Sequence, residues 1–131
     1  MNLNIAQLSL QTQDMDWETF PDKEVSYGDI RWKIFAGGPD CAATGITFGV
    51  CEVPRGAGVN PHHHAQPEYY YILSGTGTVQ LGPETIPVKP GSVIHIPGDI
   101  VHGIQNIGES MLSLVWAFPT DHWDDVKYTT V

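Results

Sequence analysis

The chain has 131 residues, enough for one domain with a single core and too few for a second module of ordinary size. Its 15 acidic residues against 6 basic ones give a formal net charge of −9, which argues against nucleic acid or an anionic membrane surface as a partner, because both require clustered Lys and Arg. No charged leader precedes an apolar stretch and no apolar run is long enough to span a bilayer, so a cytoplasmic protein without membrane association is expected. The two cysteines, Cys41 and Cys51, fit free thiols in a reducing compartment better than a disulfide.

In chain order, residues 1–29 are of mixed polarity and read as an N-terminal arm, with Trp17 and Phe20 as its anchors on the main domain or on a second subunit. Residues 30–131 read as that single domain. Short β-rich runs follow one another at 30–36, 45–53, 58–64, 68–74, 75–81, 84–88, 92–96, 101–106 and 110–118. Gly and Pro punctuate them, most clearly at Gly75-Thr76-Gly77, Gly82-Pro83-Glu84 and Lys89-Pro90-Gly91. Helical periodicity is scarce. This is the pattern of an all-β sandwich or barrel.

Within these runs one constellation carries chemistry. Gly56 is followed after five residues by His62-x-His64, after three more by Glu68, and after six more by Gly75. Later, Gly91 is followed after five residues by Pro97, with His102 five beyond the proline and Asn106 four beyond that histidine. Alternate residues of a strand share a face, so His62 and His64 point the same way and their imidazoles can converge on one ion. A turn through 65–67 into a neighbouring strand would let Glu68 supply a carboxylate from the side, and His102 would close the site from a distant segment. Three neutral imidazoles and one carboxylate suit a divalent transition metal (Fe, Mn, Ni, Zn, Co or Cu) better than Ca²⁺ or Mg²⁺, which prefer oxygen ligands.

The same two-part spacing is the signature of the cupin superfamily, and the chain resembles its small single-domain, RmlC-like members. The resemblance implies a double-stranded β-helix, or jelly-roll barrel, with His62, His64, Glu68 and His102 as the metal ligands and a homodimer as the default assembly. One departure is that the family usually has Pro-x-Gly before the last histidine, where this chain has Pro97-Gly98-Asp99. Asp99 can fill a left-handed turn position, because Asp and Asn tolerate it better than most residues.

Counting by twos from Glu68 puts Tyr70 and Ile72 on the ligand face and turns Tyr69 and Tyr71 away. The segment Trp116-Ala117-Phe118-Pro119-Thr120-Asp121 and the later Val126-Lys127-Tyr128, with Arg31-Trp32-Lys33 before the first core strand, are similar to the cupin lyases that cleave dimethylsulfoniopropionate to dimethyl sulfide and acrylate. That resemblance implies a β-elimination on a small carboxylate, with Tyr70 as base and Tyr128 as a second catalytic residue. Trp32, Trp116 and Trp123 would then cradle the sulfonium by cation–π contact. A cupin dioxygenase would use the same ligands, a sugar or uronate isomerase would add polar groups such as Gln80, Gln105 and Asn106, and a non-catalytic binding module would hold a small ligand without turnover. His63 is expected to face away from the ligands, and His95 and His122 to lie at the surface. Asn106 is expected to serve backbone hydrogen bonding, and Glu52, Asp99 and Glu109 have no evident partners in the linear sequence.

Overall fold

A computed structural model describes residues 9–20, 24–39 and 41–131; residues 1–8 of the expected arm lie outside the described residues. Eleven strands are present among them. They are β1 (Ser26–Tyr27), β2 (Arg31–Ala36), β3 (Thr47–Val53), β4 (Gly58–His63), β5 (Glu68–Ser74), β6 (Gly77–Leu81), β7 (Glu84–Val88), β8 (Val93–Ile96), β9 (His102–Gln105), β10 (Leu112–Phe118) and β11 (Thr129–Thr130). All nine expected runs form strands, trimmed by one or two residues at some ends. The two shortest, β1 and β11, have too few residues to carry a periodicity and were not expected.

The strands make two antiparallel sheets, ordered β2-β3-β10-β5-β8 and β1-β4-β9-β6-β7, with β11 also on β4. One sheet face is apolar and the other wet, so the inward residues follow a period of two. In β10 they are Leu112, Leu114, Trp116 and Phe118, and in β5 they are Glu68, Tyr70 and Ile72. The core between the sheets therefore contains aliphatic side chains at one end and, unusually, a buried carboxylate and three buried histidines at the other. Gly49 shows why a small residue is needed in β3. It pairs with Trp116, and a Cβ there would meet the Lys33 carbonyl oxygen and come within 2.7 Å of the Trp116 ring.

Asn106, at the end of β9, acts as a clip. Its buried amide donates to the carbonyls of Val53 and Ser110, both at 2.8 Å, and its oxygen accepts from the Gly108 N–H at 2.9 Å. This backbone role matches the expectation for Asn106. Two segments outside the sheets close the barrel's flank. The N-terminal one runs through a short 3-10 turn, Thr12–Asp14, to Glu18, which exchanges backbone hydrogen bonds with Trp32. The C-terminal one contains the 3-10 turn Trp123–Asp125, capped by the His122 ring, and is tied down by Thr47 Oγ1 donating to the Thr120 carbonyl at 2.9 Å.

Candidate metal centre

His62 and His102 are direct cross-strand partners on β4 and β9, with ring centroids 4.3 Å apart. His64 follows the end of β4. The turn through 65–67 then carries the chain across to the opposite sheet, where Glu68 opens β5. This corrects one expectation: β5 does not neighbour β4, and the carboxylate reaches the histidines across the barrel interior because the site sits where the sheets face each other. One ring nitrogen from each of His62, His64 and His102 lies within 4.8 Å of the others. Glu68 Oε1 is 3.1 Å from His102 Nε2 and 3.3 Å from His64 Nε2, with all four side chains buried.

Each imidazole is held by a backbone carbonyl two residues away. The Nδ1 atoms of His62, His64 and His102 lie 2.7, 2.8 and 2.8 Å from the carbonyl oxygens of Asn60, Gln66 and Ile100. A carbonyl only accepts, so Nδ1 carries the proton in each ring and Nε2 is left as a lone pair, the arrangement that orients histidine ligands. The Nε2 lone pairs of His64 and His102 then face the Glu68 carboxylate, acceptor against acceptor, and His64 Nε2 is buried without a hydrogen-bond partner. Such an inward-facing set of acceptors is stabilised by a cation between them. The residues fit a divalent metal ion.

Electrostatics agree with the geometry. Burial, and then the neighbouring His102, push the His62 pKa down to about 4, so this ring is neutral at ordinary pH. For Glu68, burial alone would raise the carboxyl; N–H donation and positive charge from His102 and His64 lower it below its usual range when those rings carry an Nε2 proton, and with both Nε2 atoms as lone pairs a bound cation supplies that charge instead. Glu68 is a carboxylate.

The turn before His102 accounts for the shifted glycine. Asp99 adopts φ 63°, the left-handed position expected for it, and its N–H donates to the His64 carbonyl at 2.8 Å. Gly98 packs so closely on Ala65 that a Cβ would strike the Ala65 carbonyl oxygen. The glycine thus permits the two ligand-bearing loops to touch, and the aspartate takes the positive φ.

A pocket of about 430 Å³, its open mouth included, adjoins the centre. His62, Glu68, Tyr70 and Tyr128 line it, together with Trp32, Trp116, Trp123, Phe20 and Cys51. Tyr70 is buried on the ligand face while Tyr69 and Tyr71 are about half exposed, as strand alternation requires. Tyr128 stacks on His62 at 4.7 Å between ring centroids. Burial, and then the Glu68 charge, raise both phenols well above 10, so the protein alone keeps them protonated. Burial, followed by Glu68 and Glu52, likewise raises the Cys51 thiol.

Sequence reasoning did not place Cys51 in the pocket, and it expected Phe20 only as an anchor of the arm. Cys51 could have been placed inside by the parity of β3, which buries Thr47, Gly49, Cys51 and Val53. Phe20 carries no periodic signal at all. Gln80 and Gln105 line a separate cavity with Thr78 and Thr85 and are not among the residues that line this pocket, so they do not supply its polar groups. Glu52, which had no evident partner, pairs with Arg31 at 2.7 Å, and His63 turns out toward Asp99 at 3.9 Å. His95 stacks on Tyr69 at 4.7 Å, outside the barrel.

Two packed antiparallel sheets with a histidine cluster buried between them define a β-barrel of the metal-centre type. The chain belongs to the cupin family: residues 49–118 match the cupin domain. It is 29% identical over 103 residues to dimethylsulfoniopropionate lyase DddW of Ruegeria pomeroyi, spanning 79% of this chain and 67% of that protein. Its fold is similar to the polyketide cyclase RemF of Streptomyces resistomycificus, with TM-score 0.78 and 20% identity over 94% of this chain and 84% of that one. It is also similar to oxalate decarboxylase of Bacillus subtilis, a protein with Mn(II) centres, with TM-score 0.66 and 20% identity over 80% of this chain and 29% of that one. Among the described residues no helix is long and apolar enough to cross a membrane.

Proposed function

We propose that the chain is a metal-dependent lyase that cleaves dimethylsulfoniopropionate, or a similar small carboxylate with a sulfonium leaving group, by β-elimination. The observation that carries this reading is that the carbonyl-oriented histidine centre opens, through His62 and Glu68, onto a pocket lined by the buried Tyr70, the partly buried Tyr128 and three tryptophans. The similarity to DddW supports it.

His62, His64, Glu68 and His102 would hold a divalent ion, which when bound would supply the positive charge that favours an ionised Tyr70 oxygen and a polarised substrate carboxylate. Tyr70, as phenolate, removes the proton from the carbon next to the carboxylate. The electron pair of that C–H bond becomes the new C=C bond, the C–S bond breaks, and its pair leaves on sulfur as a neutral thioether. The other product is acrylate. Ionising a phenol of ordinary pKa about 10 near neutral pH requires roughly 3 pK units, about 4 kcal/mol, and burial at Tyr70 adds to that demand. Tyr128, stacked on His62, orients the substrate beside the ion or takes the proton in place of Tyr70. The rings of Trp32, Trp116 and Trp123, which line the pocket, would hold the sulfonium by cation–π contact.

The test is an anaerobic assay of the metal-loaded chain with dimethylsulfoniopropionate. The expected result is dimethyl sulfide and acrylate in equal amounts without oxygen. Metal-loaded protein that releases neither product is not this lyase, and release only with oxygen uptake makes it an oxygenase.

A further inference from the structure

The pocket is not completed by the barrel. Phe20 belongs to the N-terminal segment, yet its ring lies 4.1 Å from that of Trp32 and 6.0 Å from that of Tyr128, and it forms part of the pocket wall. The segment that delivers it is fastened on the outside of β2. Glu18 and Trp32 exchange backbone hydrogen bonds at 2.8 and 3.0 Å. Trp17 is held under two cations, with the Arg31 guanidinium 4.0 Å and the Lys33 ammonium 4.6 Å from its ring centroid. Lys33 also donates to the Thr12 carbonyl at 2.6 Å. Trp17 itself does not line the pocket.

Trp32 links the two sides: its backbone pairs with Glu18 while its ring meets Phe20 and lines the pocket. We infer that residues 12–20 are a working wall of the ligand pocket, with Phe20 as a ligand-contacting specificity residue and Trp17 as a positioning residue that holds it there. The inference rests on the pocket being the ligand site, as in the reading above, but not on the lyase chemistry. Docking of the segment and occupancy of the pocket are then linked, and linkage is reciprocal: whatever factor docking adds to ligand affinity, ligand must add to docking.

The experiment uses the full metal-loaded chain with three probes, propionate and tetramethylammonium titrated calorimetrically and dimethylsulfoniopropionate titrated in the same way or, where it is turned over, followed by its KM for dimethyl sulfide release. Amide hydrogen exchange is then followed at Glu18 and Trp32 in the wild type. A saturating probe is expected to slow exchange at both amides. Trp17→Ala, outside the pocket, is expected to weaken binding roughly fivefold and to abolish that protection. Phe20→Leu is expected to weaken binding of the cationic probes more than that of propionate, because it keeps an apolar wall and loses the ring face. If the lyase reading fails, no dimethyl sulfide forms, but the binding and exchange results still stand. The inference is overturned if none of the probes binds, if a bound probe leaves exchange at Glu18 and Trp32 unchanged, or if Trp17→Ala lowers the melting temperature while binding stays at the wild-type value.

Discussion

The two ends of the pocket are built by different means. At the histidine end each imidazole is fixed by a backbone carbonyl two residues away: Asn60 holds His62, Gln66 holds His64 and Ile100 holds His102. At the aromatic end Phe20, Trp32, Trp116, Trp123 and Tyr128 come from four separate stretches of chain and hold one another by ring packing. The first end is rigid and polar and suits an ion. The second is apolar, depends on distant segments docking correctly, and suits the organic part of a ligand.

The sharpest way to separate the ends is Tyr70→Phe, which removes the proposed base and leaves the histidines untouched. Turnover is expected to fall by a factor of about 10² to 10⁴ with metal content unchanged, measured by product release and elemental analysis of the same sample. Equal turnover in the variant would move the base elsewhere, first to Tyr128.

Acid should strike the histidine end through His62. The folded His62 pKa of about 4 lies below the ordinary histidine value of 6.5, so between these limits the unfolded chain binds more protons than the folded one. Its contribution to stability is present above about 6.5 and is lost as pH falls toward 4, amounting to about 3 kcal/mol across the window. Urea titrations of the chelator-treated chain from pH 7.5 to 3.5 check this. A flat profile would contradict the neutral, buried assignment of His62.

At the fold level, Asn106→Ala strands the Val53 and Ser110 carbonyls and the Gly108 N–H, and is expected to cost about 2 to 4 kcal/mol in chemical unfolding. A smaller effect is expected at the aromatic end. Trp123→Leu keeps apolar bulk but loses a ring face, so KM for a sulfonium substrate should rise roughly fivefold with kcat nearly unchanged. The smallest belongs to Tyr71→Ser, on the exposed side of β5, where stability should stay within about 0.5 kcal/mol and KM should not move.

The contrast between the ends also explains what could be read in the sequence. His62, His64 and Glu68 lie within one strand, its turn and the next strand, so period-two counting and a fixed loop length bring them together, and Pro97 with His102 repeats the device. The same counting separates Tyr70 from Tyr69 and Tyr71. It could not show that Glu68 belongs to the opposite sheet, because that depends on how the barrel closes. It could not place Phe20 against Trp32 and Tyr128, since the second contact spans most of the chain and neither leaves a local pattern. Asp99 lies between these cases: its tolerance of positive φ was legible, but the close approach of Gly98 to Ala65 that makes the turn necessary was not.

The most direct test of the account is a metal titration of the chelator-stripped chain, with dimethyl sulfide release from dimethylsulfoniopropionate measured at each addition. Release is predicted to rise in proportion to bound metal and to level off at about one ion per chain, the capacity of a single buried three-histidine centre. Full metal loading without release, or release from the stripped chain, would contradict it.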